Sequence, residues 1–141
     1  MFNTVLFPLD QTRESRHAAE LVVSLVKAYS SKLTLLSVVE AAEESEAMEE
    51  PGGTSSAMAS PEAIAELLES ARSLFQQAGI EAAVEERQGM PAFVICDVAD
   101  EINADLIVMG SRGIGLTEEG LSDSVSNRVI NLSPCPVLIV P

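Results

Sequence analysis

The residues with the clearest capacity for chemistry are glycines that follow a short apolar run in the C-terminal third of the chain. The run Leu106–Met109 stops at Gly110, and a helical pattern resumes near Ser124. Glycines let backbone N–H groups approach a ligand because no Cβ intervenes. A helix start adds free N–H donors and the positive end of a dipole. The stretch 106–126 therefore predicts an anion site, most often for phosphate, although glycines that only turn a loop give the same pattern.

Short β-branched runs and apolar helical stripes alternate along the chain and must position this loop. The predicted strands are Thr4–Phe7, Lys32–Val39, Ile80–Glu85, Leu106–Met109 and Val137–Val140. The predicted helices are Arg13–Tyr29, Pro61–Ala78 with Gly79 as its C-terminal glycine, Pro91–Ile102 and Val125–Leu132. Strict alternation favours a parallel sheet. The predicted fold is α/β and Rossmann-like, a doubly wound five-stranded parallel sheet of order 3-2-1-4-5 with helices on both faces.

Apolar positions at helical spacing predict the core faces of the second and third helices. In the second helix they are Ile64, Leu67, Leu68, Ala71, Leu74, Phe75 and Ala78. In the third they are Phe93, Ile95, Val98, Ala99 and Ile102. The two cysteines, Cys96 and Cys135, have no ligand-type spacing, so we interpret them as small, mostly buried apolar residues.

Two polar features converge on one edge of the predicted sheet. Asp10 follows the first strand, and Gly110 ends the fourth. In doubly wound sheets, ligands bind at the carboxyl ends of the strands, where the strand order reverses. The first and fourth strands are the predicted neighbours at that point, so the sequence predicts a ligand crevice between them.

Composition limits the classes of function. The chain has 141 residues, which predicts one domain over 1–141, and its net charge is −14. That charge disfavours binding to nucleic acid or anionic membranes, and no apolar run approaches the length of a membrane span. The N-terminus looks like a strand rather than a signal peptide, so we expect a cytoplasmic protein. The acidic and Gly/Ser-rich stretch 41–60 predicts a mobile loop.

Several segments, in order and at the right spacing, resemble the universal stress protein family. Segments 5–10 and 35–38 look like its first two strands, and Gly89-Met90-Pro91-Ala92 resembles its turn into the third helix. Segment 104–110 is close to its fourth-strand signature, and 133–140 is similar to its last strand. The resemblance covers almost the whole chain.

The nucleotide-binding members of that family carry the motif G-x2-G-x9-G-(S/T). Gly110, Gly113 and Ser124 match it, but Asp123 stands where those members have the third glycine. An aspartate there would repel a polyphosphate. A bound Mg²⁺ would instead make Asp123 a ligand, and Gly120 could supply a shifted turn; the sequence leaves these alternatives open.

For a bound ATP or other adenine nucleotide, the resemblance and the chemistry together imply roles for eleven residues. Asp10 would accept hydrogen bonds from the ribose, while Pro8, Leu9 and Val38 would wall the adenine. The residues expected around the phosphates are Met109, Gly110, Arg112, Gly113, Ser124, Val125 and Ser126.

Two classes of function remain after these observations. The first is a regulatory module that binds an adenine nucleotide in the stress response; the second is a nucleotide-free interaction protein, which Asp123 favours. No catalytic set is recognisable, so we expect no enzyme, with slow ATP hydrolysis left open. In both cases Val137, Leu138, Ile139 and Val140 form an apolar edge strand, which predicts a homodimer, and the resemblance implies the same. A protein partner is not identified by the sequence.

Overall fold

The computed structural model describes residues 2–9, 13–39, 61–110 and 128–140 of the chain. Within these ranges, helices and strands alternate. The elements are β1 (Thr4–Pro8), α1 (Arg13–Tyr29), β2 (Lys32–Val39), α2 (Pro61–Gln77), β3 (Ala82–Gln88), α3 (Pro91–Glu101), β4 (Leu106–Gly110) and β5 (Val137–Val140). Residues 128–132 are also helical and are called α4.

The five strands form one sheet in the order β3-β2-β1-β4-β5, and all four pairings are parallel. This confirms the predicted topology. β1 is the central strand, and its Val5, Leu6 and Phe7 are at most 1% exposed. Such a continuous apolar run is expected for a parallel strand that helices cover on both faces.

Alternation along the strands divides the buried side chains between two cores. Val5 and Phe7 of β1, and Leu9 just after it, pack with residues of α1 and α2, which we call the α1–α2 core. Leu6 points to the other face and packs with residues of α3 and with Val129 of α4, which we call the α3–α4 core. Side chains two residues apart on a strand share a face, so the two cores follow from the residue order.

Three helices end in the same way before the next strand begins. Ser30, Gly79 and Asn103 have positive φ angles of 54°, 86° and 56°. The residue after each donates its N–H to the carbonyl five residues earlier, as in the 2.9 Å bond from Ile80 to Phe75. This is the Schellman arrangement, and it confirms Gly79 as the C-terminal glycine of α2.

The prediction for the third strand was wrong at both ends. β3 covers Ala82–Gln88 rather than Ile80–Glu85. Ile80 is held in the turn after α2 and is buried at 6% exposure. The strand instead continues through Glu86 and Arg87, because β2 offers it pairing partners as far as Val39. Charged residues are compatible with an edge strand, which faces solvent along one side.

Two residues predicted for the core are exposed. Leu74 is 50% exposed and Phe93 is 45% exposed. Leu74 lies at the margin of the apolar stripe, one residue from Phe75, which is fully buried. Phe93 follows buried Ala92 on α3, and the rotation of about 100° per residue moves its side chain out of the buried face. Single apolar residues at the edge of a stripe are often exposed.

Asp105 ties the amino ends of β1 and β4 together. Its Oδ2 accepts hydrogen bonds from the backbone N–H groups of Asn3 at 2.9 Å and Thr4 at 3.0 Å. Its own N–H donates to the carbonyl of Thr4 at 2.7 Å. The carboxylate therefore fixes the register of the two strands that flank the predicted crevice, at the edge opposite to it.

We expect Asp105→Ala to lower the free energy of unfolding by about 2 kcal/mol, because two backbone donors lose a charged acceptor. Asp105→Asn keeps a carbonyl oxygen in place and should lose less. Urea denaturation of both variants measures the difference. Equal stability of Asp105→Ala and the wild-type chain would contradict this role.

Candidate functional site

The pairing of β1 with β4 stops before either strand ends. The paired residues are Val5 with Leu106 and Leu6 with Ile107. In contrast, β1 pairs with β2 through all of its residues to Pro8, and β4 pairs with β5 through Gly110. The carboxyl halves of β1 and β4 therefore lie next to each other, but their residues are not paired in the sheet.

Pro8 supplies the chemical reason for this early end. The N–H of Leu9 donates to the carbonyl of Leu36 on β2, at 2.9 Å. Backbone groups of successive strand residues point alternately to the two neighbouring strands, so residue 8 faces β4. The next bond of a regular parallel ladder would run from residue 8 to the carbonyl of Val108, but proline has no N–H. Pro8 therefore ends the pairing of β1 with β4 at the point where the strand order reverses.

Five of the predicted site residues lie in the described ranges, and all five lie at this carboxyl edge. Pro8 ends β1 and Leu9 follows it, Val38 is near the end of β2, and Met109 and Gly110 end β4. Pro8, Leu9, Met109 and Gly110 are buried, while Val38 is half-buried. The structure therefore brings together the ends of the three central strands.

The side chains of these residues divide between the two faces of the sheet. Leu9 packs in the α1–α2 core at 5% exposure. Met109 and the half-buried Val38 belong to the α3–α4 core. The side chain of Leu9 therefore lies on the α1–α2 face of the sheet, whereas that of Val38 lies on the α3 face. The predicted adenine wall remains a prediction, with Leu9 and Val38 on opposite faces.

The other predicted site residues lie outside the described residues. They are Asp10, Arg112, Gly113, Asp123, Ser124, Val125 and Ser126. The acidic stretch 41–60 also lies outside them. In the part of the chain that the structure describes, no three His, Cys, Asp or Glu side chains group closely enough to hold a metal ion.

Gly89 links the edge of the crevice to the start of α3. Its N–H donates to the carbonyl of Val39 at 2.9 Å, which joins the end of β2 to the turn before α3. Its φ is +143°, and an added Cβ would lie 2.9 Å from Cγ2 of Val94. Both the backbone angle and the contact require glycine here.

We expect Gly89→Ala to lower the free energy of unfolding by about 2 kcal/mol, because a Cβ adds backbone strain and a collision with Val94. Gly79→Ala is the matched control. Its φ of +86° also disfavours a side chain, but an added Cβ would meet no atom within 4 Å. Thermal denaturation should show a smaller loss for Gly79→Ala, and the reverse order would contradict the role of the Val94 contact.

Arg87 anchors the other end of α3 to β3. Its guanidinium donates to Glu101 on α3 at 2.8 Å and to Glu85 on its own strand at 3.0 Å. The hydrogen bond from Arg87 holds the pKa of the Glu101 carboxyl below its usual value. Val94, against Gly89 of the turn, and Glu101, paired with Arg87 of β3, are seven residues apart and so lie on the same flank of α3.

The two cysteines lie in the α3–α4 core. Cys96 is buried and Cys135 is half-buried, as the sequence predicted, and both are free. Burial raises the pKa of both thiols, and the hydroxyl of Ser133 opposes that rise at Cys135. Cys135 packs against the core that contains Cys96. Protonated, buried thiols act as packing groups.

Sequence reasoning missed two exposed apolar residues at the start of α3. Met90 is 58% exposed and Phe93 is 45% exposed, at the start of α3 and hence at the carboxyl edge of the sheet. The available signal was the pair of large apolar side chains beside a helix-starting proline. Helical spacing assigned Phe93 to the core instead.

An open parallel sheet of this order, with a crevice at its switch point, defines a Rossmann-like class of fold. A model of the universal stress protein family matches residues 1–141, and the chain belongs to that family. The chain is 59% identical to universal stress protein Sll1654 of Synechocystis sp. over 141 residues, covering 100% of this chain and 87% of the relative.

Two solved structures show the same architecture. The structure of hypothetical protein MJ0577 has a TM-score of 0.79 at 26% identity, covering 99% of this chain and 96% of that one. A universal stress protein in complex with cAMP has a TM-score of 0.75 at 27% identity, covering 99% of this chain and 97% of that one. Among the described helices, none is long and apolar enough to cross a membrane.

Proposed function

We propose that this chain is a regulatory universal stress protein that binds an adenine nucleotide in the crevice between β1 and β4. The observation that carries the proposal is the early end of the β1–β4 ladder after Leu6 and Ile107. Pro8 removes a donor there, and Gly110 brings a residue without a side chain to the same edge. The crevice therefore gives a ligand access to backbone groups at the switch point of the sheet.

The relative solved with cAMP supports an adenine nucleotide as the class of ligand, because this chain shares its fold over 99% of its length. Within that class we propose ATP or a related nucleotide, with Mg²⁺ as a companion ion. Asp10 would bind the ribose, and Gly110, Gly113 and Arg112 would surround the phosphates with Ser124, Val125 and Ser126. No catalytic role is proposed for any residue.

Two experiments test this proposal. The first is mass spectrometry of the small molecules that freshly purified protein releases on denaturation, and the second is calorimetric titration with ATP, with and without magnesium. We expect a released adenine nucleotide or micromolar affinity for ATP. Binding that requires magnesium would assign Asp123 as a ligand of the metal. Neither released nucleotide nor heat at millimolar ATP would overturn the proposal.

The second candidate is a nucleotide-free homodimer that acts through its surface. Asp123, at the position of the third motif glycine, favours it. The two edges of the sheet also differ. β3 carries Glu85, Glu86 and Arg87, whereas β5 consists of four apolar residues, of which Val137, Leu138 and Ile139 are half-buried. The charged residues disfavour pairing at the β3 edge, whereas the apolar β5 edge is suited to pairing with a second copy of the chain.

We therefore expect a homodimer through β5 whether or not a nucleotide binds. Light scattering at micromolar concentration measures the mass directly, and we expect about twice the 14.9 kDa of the chain. A monomer under those conditions would contradict pairing through β5.

A further inference from the structure

The backbone carbonyl of Val108 is a polar group that the β1–β4 ladder leaves without a donor. Val108 itself is fully buried. In a parallel ladder that pairs Leu6 with Ile107, the N–H of Val108 donates to the carbonyl of Leu6. The carbonyl of Val108 would then accept the next bond from residue 8, but this residue is Pro8 and has no N–H. The ladder therefore ends on an acceptor.

Hydrogen bonds on both strands show that this carbonyl points towards β1. The N–H of Ile107 donates to the carbonyl of Pro136 at 3.0 Å, on the β5 side of β4. Successive residues of a strand direct their backbone groups to alternate sides, so Val108 faces β1. The N–H of Leu9 donates to the carbonyl of Leu36 on β2, at 2.9 Å, and so does not replace the donor that the proline lacks. The carbonyl of Val108 is thus the first free backbone group beyond the last bond of the ladder.

A buried carbonyl requires a hydrogen-bond donor, because leaving such a group unpaired costs free energy. A phosphate group has acceptor oxygens and negative charge, so it is not a suitable partner for a carbonyl. The nucleoside part of an adenine nucleotide does carry donors, namely the ribose hydroxyls and the exocyclic amino group of the base. The chemistry of this acceptor therefore favours the nucleoside over the phosphates.

The depth of Val108 gives the bound nucleotide a direction. Val108 lies two residues before Gly110, which ends β4. A strand rises about 3.3 Å per residue, so the carbonyl lies about 7 Å further into the sheet than the carboxyl end of the strand. Gly110 and the glycines after it are the proposed phosphate contacts. A nucleotide that reaches both places has its nucleoside inside the crevice and its phosphates at the mouth.

We infer that the carbonyl of Val108 accepts a hydrogen bond from the nucleoside part of the bound nucleotide. This inference rests on the proposed function and adds an acceptor that selects for a ligand with a donor at this point. The donor is a ribose hydroxyl or the amino group of adenine, which share the required chemistry. Pro8 is a positioning residue, because its lack of an N–H keeps the carbonyl available to the ligand.

Pro8→Ala tests the inference because it supplies an N–H at position 8. We expect the new amide to donate to the carbonyl of Val108 and to exchange its hydrogen slowly, as measured by NMR. Pro136→Ala is the matched control, because Pro136 lies just before β5 at the amino edge of the sheet. It should leave the crevice unchanged. Rapid exchange of the amide at position 8 in folded Pro8→Ala would overturn the inference.

Titrations with AMP and three analogues, followed by NMR chemical shifts, identify the donor. The analogues are 2′-deoxy-AMP, 3′-deoxy-AMP and purine riboside 5′-monophosphate, each of which lacks one donor of AMP. We expect one of them to bind the wild-type chain and Pro136→Ala about tenfold more weakly than AMP. Pro8→Ala should bind that analogue and AMP equally, because its own N–H occupies the carbonyl.

The outcomes separate this inference from the proposed function. If the wild-type chain binds AMP but Pro8→Ala abolishes discrimination against none of the analogues, the carbonyl is paired with water rather than with the ligand. The inference is then overturned and the proposed function stands. If the wild-type chain binds no nucleotide, both are overturned.

Discussion

Replacing Asp123 with glycine should tighten the binding of ATP by between about fivefold and roughly a thousandfold. Two unit charges about 4 Å apart interact with about 1 kcal/mol in water and about 4 kcal/mol at an effective dielectric near 20. Each 1.4 kcal/mol changes a dissociation constant by about tenfold. The substitution removes one negative charge and restores the third glycine of the family motif.

The control for this prediction is Asp123→Asn, which removes the charge and keeps the size of the side chain. Calorimetric titration without magnesium should rank ATP affinity as glycine above asparagine above aspartate. The order separates the electrostatic effect from the steric one. Unchanged affinity in Asp123→Gly would contradict the view that Asp123 weakens nucleotide binding. If Asp123→Gly instead binds ATP more weakly than the wild-type chain when magnesium is present, the carboxylate of Asp123 is a ligand of the metal.

Phe75→Ala should lower the free energy of unfolding by about 3 to 5 kcal/mol. Phe75 is fully buried in the α1–α2 core, and its ring meets that of Phe7 edge to face, with centroids 6.3 Å apart and an interplanar angle of 82°. Truncation removes buried apolar area, leaves a cavity and loses the aromatic pair. A loss of this size is a large part of the total stability of a small domain.

Leu74→Ala is the matched control, because Leu74 is the neighbouring residue on α2 and is 50% exposed. It should lose about 1 kcal/mol or less. Denaturant titrations of the two variants measure the contrast directly. Similar losses in both variants would mean that α2 does not present Phe75 to the sheet as described.

The bounds of several elements could be predicted from local sequence patterns. The β-branched run of β2, the helical stripe of α1 and the proline-bounded run of β5 gave bounds that the structure confirms. The carboxyl end of β3 could not be predicted in this way. It is decided by pairing with β2, which continues as far as Val39, and not by the residue types of β3 itself. Pairing partners are a property of the assembled sheet.

The position of the candidate site could be predicted from the topology of the sheet, but the side chains that surround it could not. Strand alternation predicts which residues of one strand share a face, yet the register between strands is needed to place Leu9 and Val38 on opposite faces. The exposure of Phe93 likewise depends on how α3 is rotated by its contacts at Val94 and Glu101. Helical spacing alone carries no such information.

The position of the ligand is the central claim, and chemical-shift mapping of backbone amides on addition of AMP tests it most directly. The largest changes should fall at Leu9, Val38 and Gly110, at the carboxyl edge of the sheet. Amides at the opposite edge, such as Lys32 and Ala104, should stay in place. Changes that concentrate on that opposite edge or along β5, or no changes at millimolar AMP, would contradict a nucleotide site between β1 and β4.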